Sequence, residues 1–387
     1  MGRGRPAKGD RPGGSLSSLH AVDLLAQTLR GLVERTGIDP GLVEDVLVGC
    51  VSQAGEQAFT PGRLAWLGAG LPEHVPSVTL DRRCGSGQQA VEFAVHGIMA
   101  GAYDVTVAGG VESMSRVPMG SARMGVDVFG QGVADRYDPG LVGQGVSAEL
   151  VAARFGITRD HMDVYAARSH ERAAAAQGAM ASEILPIVVP GADGEVTVTA
   201  DETIRLGTTA ESLSALRPAF EDSEVESRYP EITWSVTAGN SSQITDGAAA
   251  LLVMNEARAA ELGLRARARV IATAVVGSDP VSMLTGPIPA TQKVLERAGL
   301  TIDDIDHFEV NEAFASVPLA WQRYFQVDDA RLNPFGGAIA LGHPLGASGA
   351  RLLTTMLTSL ETAGGRYGLQ TMCENGGMAN ALVVERL

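Results

Sequence analysis

Apolar residues Val22, Leu25, Leu29 and Leu32/Val33 fall on one stripe at helical spacing, and Gly37 with Pro40 ends the run. This predicts a helix from about His20 to Arg35, preceded by loop over residues 1–19. The short continuous apolar runs Val46–Val51 and Val75–Leu80 read as buried strands. Helical spacing returns at Val91, Ala94, Val95, Ile98 and Met99, and Asp104–Ala108 predicts another strand. Cys84 therefore stands at a strand-to-helix turn.

From about 115 to 240 the rhythm breaks. This region is rich in Gly, Met, Arg and Asp, carries helical stretches over 147–155 and 160–179, and continues through Pro186, Pro190 and a polar run over 191–230. It reads as an inserted, partly irregular domain. Alternation resumes with predicted helices over 246–254 and 256–262, a strand over Arg269–Val276, a helix over 289–298 and a strand over Asp306–Val310. Helices from Glu312 to about Tyr324 and from about Ser348 to Leu360 follow, then strands Gly368–Met372 and Ala381–Glu385. The flanks resemble distant repeats: strand 75–80 feeding the Cys84 helix parallels strand 306–310 feeding the Asn311 segment, and Tyr103-Asp104-Val105 parallels Tyr367-Gly368-Leu369. The expected class is α/β, with two βαβ-type halves packed together. Residues 1–114 with 241–264 form one half, 115–240 the insertion, and 265–387 the other half.

The chain of 387 residues is 45% hydrophobic and 19% charged, an ordinary globular balance. A net charge of −15 argues against a nucleic-acid surface. With 3 cysteines there is no disulfide framework, which points to a reducing cytoplasm. No apolar run reaches membrane-spanning length, Ala248–Met254 being among the longest, and no apolar segment follows Arg3, Arg5, Lys8 and Arg11 as a signal peptide requires.

Candidate chemistry lies in the tight loops. A thiol at a helix N-terminus has its ionisation favoured by the unpaired N–H groups, so Cys84 in Cys84-Gly85-Ser86-Gly87 reads either as a nucleophile or as a small apolar turn residue. On the first reading, the small residues keep the helix start open to a ligand. His343, in a Gly-dense run from Gly336 to Gly349, is either a base or a histidine satisfied in a sharp turn. Cys373 ends a strand and enters a Gly-rich turn whose N–H groups can face an anion; the alternative is a buried strand cysteine. Cys50 reads as a core thiol.

Together these segments resemble the thiolase family, the acetyl-CoA acetyltransferases and 3-ketoacyl-CoA thiolases. The resemblance runs from about Pro12 to the C-terminus through Cys84-Gly85-Ser86-Gly87, Thr237-Ala238-Gly239-Asn240-Ser241-Ser242, Asp246-Gly247-Ala248-Ala249, Asn311-Glu312-Ala313-Phe314, Gly342-His343-Pro344 and the Cys373 turn. It implies a thiolase fold, a layered α/β sandwich. It also implies a mechanism in which Cys84 carries the acyl group, activated by His343, and Cys373 is the acid/base at the carbon nucleophile. By the same resemblance, His343 with a water held by Asn311 stabilises the enolate oxygen. The N–H groups of Cys84 and Asn375 hold the tetrahedral oxyanion. Ser242 and Ala313 match positions lining the pantetheine channel, and Phe314 joins them as a CoA or substrate contact. Arg217-Pro218-Ala219-Phe220 reads either as a contact near the adenine end of CoA, through Arg217 and Phe220, or as a surface loop. No metal or cofactor is implied, since CoA is a substrate, and the expected assembly is a homodimer or homotetramer.

The Gln144-Gly145-Val146-Ser147-Ala148-Glu149 segment looks more like degradative members than like acetoacetyl-CoA-forming biosynthetic ones. A non-catalytic acyl-CoA-binding protein of the same fold is the alternative of another class. A decarboxylating ketoacyl synthase is disfavoured by the second cysteine. Three departures from the family pattern stand out: Asp81 in place of Asn, Asn375 in place of Gly, and an opening Met1-Gly2-Arg3-Gly4-Arg5-Pro6 without the usual first strand. That strand is expected to be central in the first sheet, so its loss should leave unpaired backbone and a void.

Overall fold

The computed structural model describes residues 2–4, 13–191 and 194–387. The chain begins with β1 (Gly2–Gly4) and α1 (Ala21–Thr36). The His20 ring accepts the Val22 N–H at the start of α1, and left-handed Gly37 returns its N–H to the Val33 carbonyl at the end. Next come β2 (Asp45–Gly49), α2 (Pro61–Gly68), β3 (Ser77–Leu80), α3 (Ser86–Met99) and β4 (Val105–Ser113). Helices α4 (Gly130–Arg136), α5 (Gln144–Arg154) and α6 (Arg159–Met180), hairpin β5 (Ile187–Gly191) and β6 (Gly194–Val198), and helices α7 (Ala210–Ser214) and α8 (Ser223–Arg228) follow. Then run β7 (Asp246–Met254), α9 (Glu256–Glu261), β8 (Ala268–Gly277), α10 (Pro287–Ala298), β9 (His307–Val310) and α11 (Ser316–Phe325). The chain closes with α12 (Ala338–Leu341), α13 (Leu345–Ala363), β10 (Tyr367–Glu374) and β11 (Met378–Arg386).

Two larger sheets form among the described residues, in the orders β1-β7-β4-β2-β3 and β8-β11-β10-β9, and β5-β6 makes a third of two strands. Side-chain alternation divides their faces. Val46, Val48, Val105 and Val107 pack with α1 and α2, whereas Leu47 and Ala108 face α3 and α13. Leu382 and Val384 cover those same two helices from the second sheet, while Ala381 and Val383 face a core that includes α10 and α11. The result is a five-layer stack with α3 and α13 in the middle.

Several expectations change. The apolar run over 246–254 is strand β7, not a helix: it pairs with β4 from Val105↔Met254 to Ser113↔Asp246, and periodicity alone cannot separate a buried strand from a buried helix in such a run. Residues 1–19 are not all loop, since Gly2–Gly4 pairs with β7. That place is the edge of the sheet, as it is for β8 in the second sheet, so the first strand is not central. Strand β3 is also an edge, with Val78 exposed, rather than a buried strand. The helix placed at Glu312 starts at Ser316. Helix α2 and the β5–β6 hairpin carried no periodic signal long enough to be predicted.

The repeat is real but shifted. Strand β9 lies parallel to β10 as β2 lies parallel to β4, so β9 matches β2, not β3. The counterpart of β3 is a single parallel bridge, Phe308↔Leu332. The chain after Leu332 leads into α13, as the chain after β3 leads into α3. The two matching helices meet almost backbone to backbone. A Cβ on Gly87 would lie 2.7 Å from the Gly346 carbonyl oxygen, and one on Gly346 would lie 2.5 Å from the carbonyl oxygens of both Gly49 and Val111.

Gly346→Ala should therefore destabilise the protein by about 2–4 kcal/mol, because every obstructing atom belongs to the backbone. Gly178→Ala, on α6 with nothing within 4 Å of the added carbon, should instead stabilise by about 0.5–1 kcal/mol. Urea unfolding of both variants checks the contrast.

Candidate active site

Cys84 sits in a short, tightly bonded turn. Asp81 accepts the Arg83 N–H at 2.6 Å, and Arg83 has φ 49°. The Ser86 hydroxyl accepts the Arg82 N–H at 2.8 Å and donates to the Arg83 carbonyl at 2.6 Å. Asp81 thus caps the turn that presents the thiol. Gly85 is the N-cap of α3, so Cys84 lies one residue outside the helix. Its thiol is 5% exposed. Burial pushes it up to about 12, with the Glu374 carboxyl adding to the rise, while a hydrogen bond from the Gln144 side chain and the Arg83 charge act in the opposite direction. The depressed thiol expected from a helix N-terminus is therefore not found: desolvation outweighs the dipole. Nor do Gly85 and Gly87 keep the helix start open. A Cβ on Gly85 would overlap the Glu374 carboxyl, and Gly87 faces α13.

His343 joins α12 to α13. Its N–H donates to the Gln243 carbonyl at 2.9 Å and to the Thr245 hydroxyl at 3.2 Å. The preceding Gly342 has φ 82°, and a side chain there would collide with Thr245. Nδ1 lies 2.6 Å from Ser348 Oγ, which donates its proton to the Pro344 carbonyl at 2.9 Å. With that proton committed, Ser348 accepts from Nδ1–H and leaves Nε2 as the acceptor. Asn311 Nδ2 lies 3.4 Å from Nε2. Burial, helped by the Arg351 charge, lowers the imidazole to about 3, so it is neutral at physiological pH.

Asn311 follows β9. Its N–H donates to the Thr371 carbonyl at 3.1 Å, and its buried Oδ1 has no protein partner among the described residues. Glu312 accepts from Tyr165 (2.9 Å), Ser169 (2.7 Å), Asn333 (3.1 Å) and the Ile339 N–H (3.0 Å), which ties this loop to α6 and α12. The Ala313 carbonyl accepts the Ser242 N–H at 3.0 Å, and Phe314 meets Phe220 edge-on at 5.9 Å.

Cys373 is fully buried on β10, opposite Ala379. Burial, then Cys84 and Glu374, push its thiol well above the usual range, so the two thiols lie within electrostatic reach of each other. The hairpin turn uses Gly376 (φ 90°) and Gly377 (φ 76°) for its left-handed positions. Asn375 carries no such strain. Asn380 of β11 donates to the Gly85 carbonyl at 3.1 Å, joining the hairpin to the Cys84 turn.

Beside the loop that anchors His343 lies a cavity of about 210 Å³, lined in part by His170, Arg205, Ser212, Leu216, Ser241 and Gln243. Of the predicted CoA contacts, Ser242 and Arg217 stand next to this lining rather than in it, and Arg217 is exposed. Sequence reasoning missed Ser348, Gln144, Gln243 and Glu374. Ser348 was within reach, since it sits about one helical turn beyond His343. Nothing local connects Gln144 to Cys84.

The thiolase N-terminal domain model matches residues 3–257, and the thiolase C-terminal domain model matches residues 264–386. The chain belongs to the thiolase family. It is 47% identical over 391 residues to a steroid 3-ketoacyl-CoA thiolase of Mycobacterium tuberculosis, covering 99% of this chain and 92% of that protein. Identity to a 3-ketoacyl-CoA thiolase of Idiomarina loihiensis is 45% over 390 residues, with 99% and 97% covered. The solved structure of a Bacillus anthracis acetyl-CoA acetyltransferase matches with a TM-score of 0.86 at 34% identity, covering 100% of this chain and 96% of that one. This thiolase is thus an acyl-CoA acyltransferase on a thiolase fold. No helix among the described residues is long and apolar enough to cross a membrane.

The lowered imidazole makes a stability prediction. In the unfolded chain a histidine binds a proton near 6.5, whereas native His343 does so near 3. Its contribution is therefore fully present above pH 6.5 and is lost as the pH falls toward 3, by at most about 1.4 kcal/mol per pH unit. His343→Gln should flatten this acid limb, so that wild type and variant converge in stability between about pH 7 and pH 4.5 in denaturant titrations.

Proposed function

We propose that this thiolase cleaves 3-ketoacyl-CoA with CoA, by a ping-pong reaction through a Cys84 acyl-enzyme. The observation that carries this reading is that two buried thiols come from opposite halves of the chain, Cys84 and Cys373, and Cys84 sits close enough to raise the Cys373 thiol. A neutral imidazole, His343, stands between α12 and α13. A second thiol is what carbon–carbon cleavage needs and a simple acyl carrier does not.

In the proposed sequence, Cys84 gives its proton to His343 Nε2 and attacks the C3 carbonyl. The raised thiol and lowered imidazole disfavour a resting ion pair, so proton transfer accompanies attack. The C2–C3 bond breaks and Cys373 protonates the departing acetyl-CoA carbanion. The CoA thiol then gives its proton to the Cys373 thiolate and attacks the thioester, while protonated His343 returns its proton to Cys84. Asn311, through a water on its unpartnered Oδ1, and His343 steady the enolate oxygen. The N–H groups of Cys84 and Asn375 hold the tetrahedral oxyanion. No cofactor takes part.

CoA would enter along the cavity beside the loop that anchors His343, past Ser242, Ala313 and Phe314, with Phe220 and Arg217 toward its outer end. The region 115–240 would supply CoA and oligomer contacts between halves spanning 1–114 with 241–264 and 265–387. Relatives named as 3-ketoacyl-CoA thiolases, one of them a steroid 3-ketoacyl-CoA thiolase, support the degradative direction on lipid-derived chains. The proposed form is a cytoplasmic homodimer or homotetramer.

Two measurements test this. Incubation with an acyl-CoA, acid quench and peptide mapping should find the acyl mass on Cys84; a label on Cys373 or Cys50 alone would defeat the assignment. Cys373→Ser should keep Cys84 acylation yet lose about 10²–10⁴-fold in thiolysis, because a hydroxyl is a far weaker acid. Thiolysis at the wild-type rate in that variant would make Cys373 structural.

A further inference from the structure

Glu374 follows Cys373 at the end of β10, and its side chain is fully buried. Neither carboxyl oxygen has a hydrogen-bond partner among the described residues. The group lies directly against the Cα of Gly85, next to Cys84, with the Asn380 amide beside it. A buried carboxylate without donors is strongly disfavoured, whereas a neutral acid in the same place is tolerated. The charged and titratable groups around it are Arg82 and Asp81 from the loop before α3, Glu92 from α3, and the two thiols. Glu92 is itself buried, with one oxygen held by Gln88 at 3.0 Å and the other unpartnered.

We infer that Glu374 is a positioning residue acting through Cys84: as a neutral acid it leaves thiolate formation unopposed, and once ionised it resists it. The inference rests on reading Cys84 as the nucleophile. Its physical basis is the Coulomb repulsion between two anions in a dry site. Burial pushes the Glu374 carboxyl up to about 9, with Arg82 acting against this and Glu92 and Asp81 adding to it. Near neutral pH the acid is protonated, and in mildly alkaline solution it ionises beside the thiol it has to spare.

The test is the pH dependence of Cys84 alkylation by iodoacetamide from about pH 7 to pH 10.5, with the site of modification mapped by mass. For a thiol raised this far the rate should climb about tenfold per pH unit. Wild type should follow that slope, flatten near pH 9 where Glu374 ionises, and then resume. Glu374→Gln should match wild type within about twofold at pH 7 and exceed it about tenfold at pH 10, with no flattening. Glu374→Asp should restore a flattened profile, and Glu92→Gln should retain one. A straight profile in wild type, superimposed wild-type and Glu374→Gln profiles, or loss of the flattening in Glu92→Gln would each overturn the inference. The wild-type profile decides the matter even if a variant fails to fold. Alkylation needs no acyl transfer, so failure of the acyl-labelling experiment and failure of this one are separate results.

Discussion

The structure depends on one close approach: α3 and α13 touch through glycine, with the backbone of β2 and β4 pressed against the same place. A Cβ on Gly346 would run into carbonyl oxygens from both strands, and one on Gly349 would run into the backbone of Gln88. Helices that pack through side chains stand 8–10 Å apart. Without side chains between them, the N-terminus of α3 and that of α13 come near one another. This sets the turn that carries Cys84 in the first half close to the start of α13, which follows His343 in the second. Precision here comes from removing atoms rather than adding them.

Buried carboxylates hold the surrounding loops in place. Glu112 of β4 accepts the N–H groups of Val51, Ser52 and Gly346, each at 2.9 Å, and the Gln57 amide at 3.0 Å. It therefore fastens the start of α13 to the loop after β2. Glu149 of α5 does the same for Ser235 and Val236, just ahead of the loop that anchors His343. Each of these acids is surrounded by donors, in contrast to Glu374, which has none among the described residues. The contrast separates carboxylates that serve as fasteners from one whose charge state is free to matter.

Much of this was legible in the chain. Helices α1 and α3 announce themselves by period, and the Gly-rich runs around Cys84 and His343 mark the places where backbone meets backbone. The meaning of those glycines was not legible: they admit another part of the protein, not a ligand. Strand β7 was misread because the seven apolar residues Ala248–Met254 fit a strand or a helix equally well, and the choice is made by β4, more than a hundred residues away. The edge positions of β1 and β3 follow from sheet order, which no local pattern encodes. Gln144 and Glu374 reach Cys84 only through folding, so their link to it leaves no trace in spacing.

The interlocked helices also bear on how the chain assembles. During synthesis α3 is complete long before α13 leaves the ribosome, so the glycine face of α3 waits for a partner some 260 residues downstream. Until that partner docks, Cys84 lies at the edge of half a structure, without Cys373 and Glu374 against its turn. The first half alone cannot assemble this cluster of buried side chains. The cluster around Cys84 therefore comes together only when the whole chain has closed, and its completion marks the completeness of the fold.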